Sequence, residues 1–225
     1  MNDPVEFLKI LINVDSSSGN EAGVADIISA WLKARSWTIE QQFVSGPNYN
    51  VFAHLGVATP RLIITTHLDT APGFYNATED ELNVYGRGAS DPKGVIISQL
   101  FAVQQLIDER HLANSDVGLL FVTSGETGGQ GMIMAGDLNL APQFVLAGEP
   151  TQLKLATGFV NSSTFRLNSS TRKTFCFISP KIPGHANIPC GKVWNGSALW
   201  ISLIRWICAP PAHDLPSGSV SPSVA

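Results

Sequence analysis

The hydrophobic residues near the start of the chain recur at the three- and four-residue spacing of amphipathic helices. Asp3, Pro4 and Glu6 stand in the order of an N-cap, a first-turn proline and a reciprocal capping partner, so a helix is predicted to begin there. A second helix is predicted after the polar residues 15–20. Its apolar face consists of Val24, Ile27, Ile28, Trp31 and Leu32.

Further along, the apolar residues form short continuous runs, which are typical of strands buried on both faces of a sheet. The predicted strands span residues 50–55, 62–66, 117–123 and 144–147. A long helix is predicted over residues 92–109. Its inward positions are Val95, Leu100, Val103, Leu106 and Ile107. Strands that alternate with helices predict an α/β fold, with a largely parallel sheet and helices on both faces.

Residues able to bind a metal follow the buried strands. His67 and Asp69 follow the strand at 62–66, and Glu126 and Glu149 follow the next two buried strands, while Asp91 lies in a glycine-rich loop before the long helix. Because ligands bind beyond the carboxyl ends of parallel strands, these side chains are expected to meet at one edge. A histidine with several carboxylates is a ligand set for zinc, cobalt or manganese. The sequence therefore predicts a metal site.

Four motifs carry a resemblance to a known family. They occupy residues 67–70, 86–94, 126–132 and 148–151. In order and spacing they resemble the co-catalytic zinc metallopeptidases that include acetylornithine deacetylase, aminoacylase and glutamate carboxypeptidase, and fungal carboxypeptidase-like members in particular. The resemblance implies a zinc-exopeptidase-like fold. It also implies hydrolysis of amide bonds in small peptides or N-acyl amino acids, as carboxypeptidases and deacylases perform it.

The same resemblance implies a role for each matching residue. His67 and Glu149 would bind the first metal, Asp91 would bridge two metals, and Glu126 would bind the second. Asp69 would act in catalysis by orienting His67. The expected cofactor is one or two zinc ions, with cobalt or manganese as alternatives.

The chain departs from the family pattern at two functional positions. The family has two successive glutamates where this chain has Gly125 and Glu126, and the missing first glutamate is the general base. The family also has a late histidine ligand, whereas His213 lies in a proline-rich tail without resemblance to that region. We therefore expect impaired hydrolysis, which a glutamate at position 125 would partly restore. The alternatives are an inactive relative that binds metal or peptide, and an unstable truncation product.

The resemblance covers residues 1–158, which are expected to form an incomplete catalytic domain. Residues 159–225 are expected to be a degenerate fragment of the lid and dimerisation domain with an irregular tail, which does not favour the family-type homodimer. A short helix is one interpretation of residues 198–208. His54 and His111 lack neighbouring ligand residues in the sequence pattern, and we interpret them as packing or surface residues.

Charge and hydropathy exclude two classes of partner. The net charge of −4 offers no basic face to nucleic acid. No apolar run approaches the roughly 20 residues that span a bilayer. The first residues lack the pattern of a signal peptide, so we expect a cytoplasmic protein, with secretion as the alternative because similar fungal carboxypeptidases are secreted.

Overall fold

The computed structural model describes residues 2–56, 58–112 and 116–149, and the backbone of two further strands at 173–178 and 187–189. The α-helices in these residues are α1 (Pro4–Ile12), α2 (Ala22–Lys33), α3 (Lys93–Asp108) and α4 (Gln130–Ala135), the last followed by a 3₁₀ turn (Gly136–Leu138). The predicted residues 198–208 lie outside the described part. No helix in the described part is long and apolar enough to cross a membrane.

The strands form a six-stranded sheet and a small three-stranded one. The large sheet has the order β1-β2-β6-β3-β7-β8 and the small one the order β4-β5-β9. The strands are β1 (Thr38–Ser45), β2 (Asn48–His54), β3 (Leu62–His67), β4 (Thr78–Glu79), β5 (Asn83–Tyr85), β6 (Val117–Val122), β7 (Phe144–Glu149), β8 (Lys173–Ile178) and β9 (Asn187–Pro189). In the large sheet, β3 pairs in parallel with β6 and β7, and β7 pairs in parallel with β8. Strand β2 is antiparallel to both of its neighbours, β1 and β6.

Alternate residues of the central strands face two separate cores. On one face Ile64 and Phe121 pack with the apolar sides of α1, α2 and α3. On the other face Ile63 and Leu120 pack with Ala135 of α4. The predicted α/β fold with helices on both faces is confirmed, and the two-sided burial explains why the strands are apolar throughout.

The N-terminal cap is confirmed in part. Asp3 Oδ1 accepts hydrogen bonds from the backbone N–H groups of Val5 at 2.8 Å and Glu6 at 3.1 Å. The reciprocal role predicted for Glu6 is wrong. Its carboxylate lies 2.6 Å from the Lys9 ammonium, an i,i+3 ion pair that draws the side chain along the helix instead of back to its start.

Strand β1 was not predicted from the sequence. It lies at the edge of the large sheet, and its residues are exposed or only half-buried. An edge strand with little burial has no strong apolar pattern to reveal it. At the opposite edge, β8 pairs with β7 in parallel and so extends the sheet past residue 158.

Candidate metal centre

The parallel strands end side by side, next to the residues that the sequence marks as metal ligands. His67 is the last residue of β3 and is in register with Val122, the last residue of β6. Glu126 follows β6 in a short turn, and Glu149 ends β7. The topology therefore brings three residues that are distant in sequence to the same edge of the sheet.

Asp91 joins this edge from the loop before α3. Its Oδ1 atom lies 3.2 Å from Nε2 of His67. One ligand atom from each of His67, Asp91 and Glu126 lies within 4.8 Å of the other two. Small side-chain movements would bring these atoms to the roughly 2 Å bonds that a zinc ion makes.

The Asp91 carboxylate provides a test of whether a cation fits. Its Oδ1 atom is buried and has no hydrogen bond from the part of the chain that the structure describes. Its charged neighbour in that part of the chain is the His67 ring at 3.2 Å, and a buried carboxylate oxygen is stabilised by a positive charge, whether an imidazolium or a metal ion. The nitrogen and oxygen donors gathered here fit a divalent ion of the zinc, cobalt or manganese type, so these residues can hold a metal.

The His67 ring is oriented by Asp69 in a way that leaves one nitrogen for a metal. Nδ1 lies 2.8 Å from the backbone carbonyl oxygen of Asp69 and 3.2 Å from its Oδ1. Because a carbonyl oxygen only accepts, Nδ1 carries the proton and donates it. Nε2 faces Asp91 and is the nitrogen that would offer its lone pair to a metal once the ring has lost its second proton.

Asp69 also holds the loop that carries Glu126. Its carboxylate accepts the backbone N–H groups of Gly125 at 2.6 Å and Glu126 at 2.9 Å, and the Ser18 hydroxyl at 2.6 Å. Burial raises the pKa of Asp69, but the hydrogen bonds with His67 and Ser18 outweigh burial and lower the pKa below its usual value. One buried carboxylate thus fixes the ring of one candidate ligand and the backbone of another.

Gly125 stands directly against the His67 ring. A Cβ atom at position 125 would lie 2.5 Å from His67 Cγ and closer still to His67 Cβ. The buried histidine has no room to yield, so any side chain requires the loop to move. The expectation that a glutamate at position 125 partly restores the general base stays a prediction, and it requires this loop to move.

Comparison with known proteins identifies the family. The profile described as Peptidase family M20/M25/M40 matches residues 63–203, which is more than half of the 225 residues. The chain belongs to this peptidase family. The match continues past residue 158, where the resemblance recognised from the sequence motifs ends.

Curated members of the M20 family resemble the chain over part of their length. A probable carboxypeptidase of Aspergillus flavus is 34% identical over 176 residues, which cover 68% of this chain and 40% of that protein. A peptidase M20 domain-containing protein of Schizosaccharomyces pombe is 34% identical over 166 residues, covering 72% and 42%. The chain thus spans less than half the length of these relatives.

A solved M20 structure shares the fold. The M20 family metallo-carboxypeptidase Sso-CP2 from Sulfolobus solfataricus superposes with a TM-score of 0.61 at 22% identity, covering 70% of this chain and 41% of that one. At this identity the likeness concerns the fold alone. It agrees with the α/β architecture and the mostly parallel sheet.

Two buried polar residues that the sequence pattern does not mark hold the backbone beside the candidate metal centre. Glu21 accepts the backbone N–H of Ser124 at 3.1 Å. Asn50 accepts the N–H of Thr123 at 3.0 Å and donates to the Gly131 carbonyl at 2.7 Å. These contacts fix both ends of the turn that carries Glu126. They join residues 73 to 103 positions apart, so no local spacing in the sequence reveals them.

Lys93 is a fully buried cation at the start of α3. Its ammonium donates to the Val14 carbonyl at 2.7 Å, and so ties α3 to the loop between α1 and α2. Burial lowers the pKa of Lys93 to about 8, although the charge of Asp15 opposes this. The same loop contains Ser18, which donates to Asp69. Lys93 therefore supports the candidate metal centre indirectly, by holding this loop in place.

The ionisable groups of the site perturb one another strongly. Burial lowers the pKa of His67, but contacts with Asp69 and Asp91 and the charge of Glu149 leave it well above the usual value. Burial raises the pKa of Glu149 to about 7, and Asp91 and Glu126 add to the rise while His67 opposes it. Burial also raises the pKa of Glu126. The gathered carboxylates exceed the charge of one histidine, and a divalent cation would relieve their repulsion.

The other histidines of the described part lie away from this edge. His54 is buried and pairs with Glu40 at 3.3 Å. It is in register with Gly118 at the start of β6, so it lies at the end of the strands away from the candidate metal centre. His111 is half-exposed beside Glu109 at 3.6 Å. Their interpretation as packing and surface residues agrees with these positions. His213 lies outside the described residues.

Proposed function

We propose that the chain is a metal-dependent hydrolase of amide bonds in small peptides or N-acyl amino acids, of the carboxypeptidase or deacylase type, with impaired turnover. The observation that carries the proposal is the convergence of His67, Asp91 and Glu126 within 4.8 Å at the sheet edge of an M20 family chain. The names of the relatives support the class of substrate. Residues 1–158 would form the catalytic domain, to whose sheet β8 adds an edge strand, and the rest of residues 159–225 would be a fragment of the lid domain.

Each ligand has a proposed place. His67, Asp91 and Glu149 would hold one zinc ion, and Asp91 and Glu126 would hold a second. Cobalt or manganese would suit the same donors. Because the second ion has only two ligands from the described part of the chain, we expect tight binding at the first site alone.

The chain's own residues prepare this site for amide hydrolysis. Asp69 fixes the tautomer of His67 and presents Nε2, and it anchors the backbone that carries Glu126. Bound divalent metal supplies Lewis acidity for the substrate carbonyl and a water nucleophile at neutral pH. Asp91 and Glu149 would offset part of the charge of a bound metal.

Proton transfer is the missing step. The leaving amine needs a proton, and a positioned general acid–base contributes about 10²–10⁴-fold to such a reaction. Gly125 has no group that accepts or donates a side-chain proton. The nearby Asp69 carboxylate is a poor substitute as the base, because it already accepts three hydrogen bonds and contacts the His67 ring. We therefore expect turnover about 10²–10⁴-fold lower than that of a site with a positioned base.

The direct test is hydrolysis of N-acetyl amino acids and dipeptides by the full chain with zinc. We expect a rate barely above that of the chelator-treated protein. Fast, metal-dependent hydrolysis would contradict the impairment and make Glu126 the first candidate for the base, because its pKa is already raised.

A second candidate function is binding of metal or peptide without turnover. The observation that favours it is Gly125, where a catalytic side chain would overlap His67 unless the loop moved. Retention of metal with no zinc-dependent hydrolysis would support binding over catalysis. Measurable hydrolysis that is lost in His67→Ala would support catalysis.

A further inference from the structure

Two ligands of the first proposed zinc site, His67 and Glu149, lie at the ends of neighbouring parallel strands. His67 is the last residue of β3, and Glu149 is the last residue of β7. The pairing of these strands ends at Thr65 and Ala147, two residues before each ligand. The same register continued by two residues places His67 beside Glu149, on strands about 4.8 Å apart. The separation of the two ligands therefore depends on contacts beyond the paired residues.

Thr66 connects the two strands in this region. Its hydroxyl donates to the Gly148 carbonyl at 2.9 Å, and both residues are buried. Thr66 directly precedes His67, and Gly148 directly precedes Glu149. One side-chain hydrogen bond therefore ties the backbone beside one ligand to the backbone beside the other.

Helix α3 packs against the same strand ends. Gln99 is fully buried, and its amide donates to the Thr65 carbonyl at 3.1 Å. Gln99 also lies against Gly148, where a Cβ atom would overlap the Gln99 amide and the Val95 side chain. Glycine at position 148 thus lets β7 lie directly on α3, while its carbonyl accepts the Thr66 hydroxyl. The strand ends are held both by the helix and by each other.

Loss of the Thr66 hydroxyl would take a donor away from the buried Gly148 carbonyl. Removing one partner of a buried hydrogen bond carries a desolvation cost, so the strand ends are expected to move in compensation. Glu149 would move with its neighbour relative to His67. Metal sites tolerate deviations of only about 0.2 Å from their preferred bond lengths, so even a small movement matters to a bound ion.

We propose that Thr66 is a positioning residue of the first metal site. Its hydrogen bond to Gly148 sets the separation of His67 and Glu149, and thereby the affinity and geometry with which the site binds zinc. The inference rests on the proposed function, and it adds a residue that does not itself contact the metal.

The test compares valine substitutions at two adjacent buried threonines of the full chain. Thr66→Val removes the donor and nearly keeps the shape of the side chain. Thr65→Val is the matched control, because the Thr65 hydroxyl is buried without a hydrogen-bond partner in the part of the chain that the structure describes. Thr66→Ser keeps the hydroxyl and serves as the rescue. Zinc affinity is measured by competition with a chromophoric chelator, and coordination by the visible absorption of the cobalt-loaded protein.

We expect Thr66→Val to weaken zinc binding by roughly 10- to 100-fold, the range typical for residues that orient metal ligands. The cobalt absorption bands should change in the same variant. Thr65→Val and Thr66→Ser should bind zinc and cobalt as the unaltered chain does. The cobalt bands distinguish the two kinds of role, because a purely structural threonine would alter stability without altering the coordination of bound cobalt.

Unchanged zinc affinity and cobalt bands in Thr66→Val would overturn the positioning role, whatever happens to the stability of that variant. An equal loss of affinity in Thr65→Val would overturn it as well. If Thr66→Val does not fold, Thr66→Ala is compared with Thr66→Ser, since both lack the methyl group and differ in the hydroxyl alone. Equal zinc affinity in this pair would then overturn the inference, and weaker binding by Thr66→Ala would support it.

The unaltered chain separates this inference from the proposed function. An unaltered chain that binds zinc with an affinity independent of the Thr66 hydroxyl overturns the inference and leaves the metal centre standing. An unaltered chain that binds neither zinc nor cobalt contradicts the proposed function itself, and the inference falls with it.

Discussion

His67 and Gly125 together explain why the site has its present form. The histidine ring is fixed from one side by Asp69, and the Gly125 backbone fills the space on another side. Glycine is required here for close approach, because any Cβ would overlap the ring. Gly125, which stands where the family pattern has a glutamate base, is therefore also packed against the candidate metal ligand His67.

Gly125→Ala tests this packing. The added methyl overlaps His67, and overpacking of this kind typically costs about 1–3 kcal/mol of unfolding free energy. We expect a loss of that size in urea unfolding of the metal-free protein. Thr127→Ala is the control, because Thr127 is exposed in the same turn and should change stability by less than about 0.5 kcal/mol. Equal stability of Gly125→Ala and the unaltered chain would show that the turn moves freely.

The turn that carries Glu126 is held by contacts between elements that are distant in the sequence. Asn50 of β2 bridges the end of β6 and the start of α4, since its side chain bonds Thr123 and Gly131 at once. Gly131 has no space for a side chain either, because a Cβ there would lie 2.6 Å from Asn50 Oδ1. The turn with Glu126 is thus clamped between two strands and a helix.

Asn50→Ala tests the clamp. It leaves a buried N–H and a buried carbonyl without partners, and such unsatisfied groups cost about 1–3 kcal/mol each. We expect a lower unfolding free energy and weaker zinc binding in the same variant. Asn20→Ala is the control, since Asn20 is exposed and donates to the Asp15 carbonyl at the surface. An unchanged zinc affinity in Asn50→Ala would separate the clamp from the metal site.

The sequence predicts those elements and residues whose signal is local. His67, Glu126 and Glu149 were recognisable because each follows an apolar strand, and parallel strands bring their ends together. Ser18, Glu21 and Asn50 were missed because their partners are 51 to 103 residues away in sequence. Strand β1 was missed because an edge strand with exposed residues lacks an apolar pattern.

At the scale of the whole molecule, the candidate metal centre is expected to make metal binding depend on pH. Glu149 with a pKa of about 7, and His67 with a pKa well above its usual value, must both lose a proton before they bind metal. Protons compete with the metal more strongly as the pH falls through these values, so the affinity must rise with pH.

We therefore expect apparent zinc affinity to increase between pH 6 and 8, by about tenfold per pH unit for each proton displaced. Calorimetry in buffers of different ionisation enthalpy counts the protons released. An affinity that is constant over this range would contradict the raised pKa values, and an affinity that falls with rising pH would contradict the ligand set.

The most direct measurement is the zinc content of the purified, dialysed full chain. The account predicts one equivalent per chain in the unaltered protein and in His111→Ala, which replaces a half-exposed histidine just after α3. It predicts that His67→Ala loses this zinc. Two equivalents in the unaltered chain, or full retention by His67→Ala, would contradict the account.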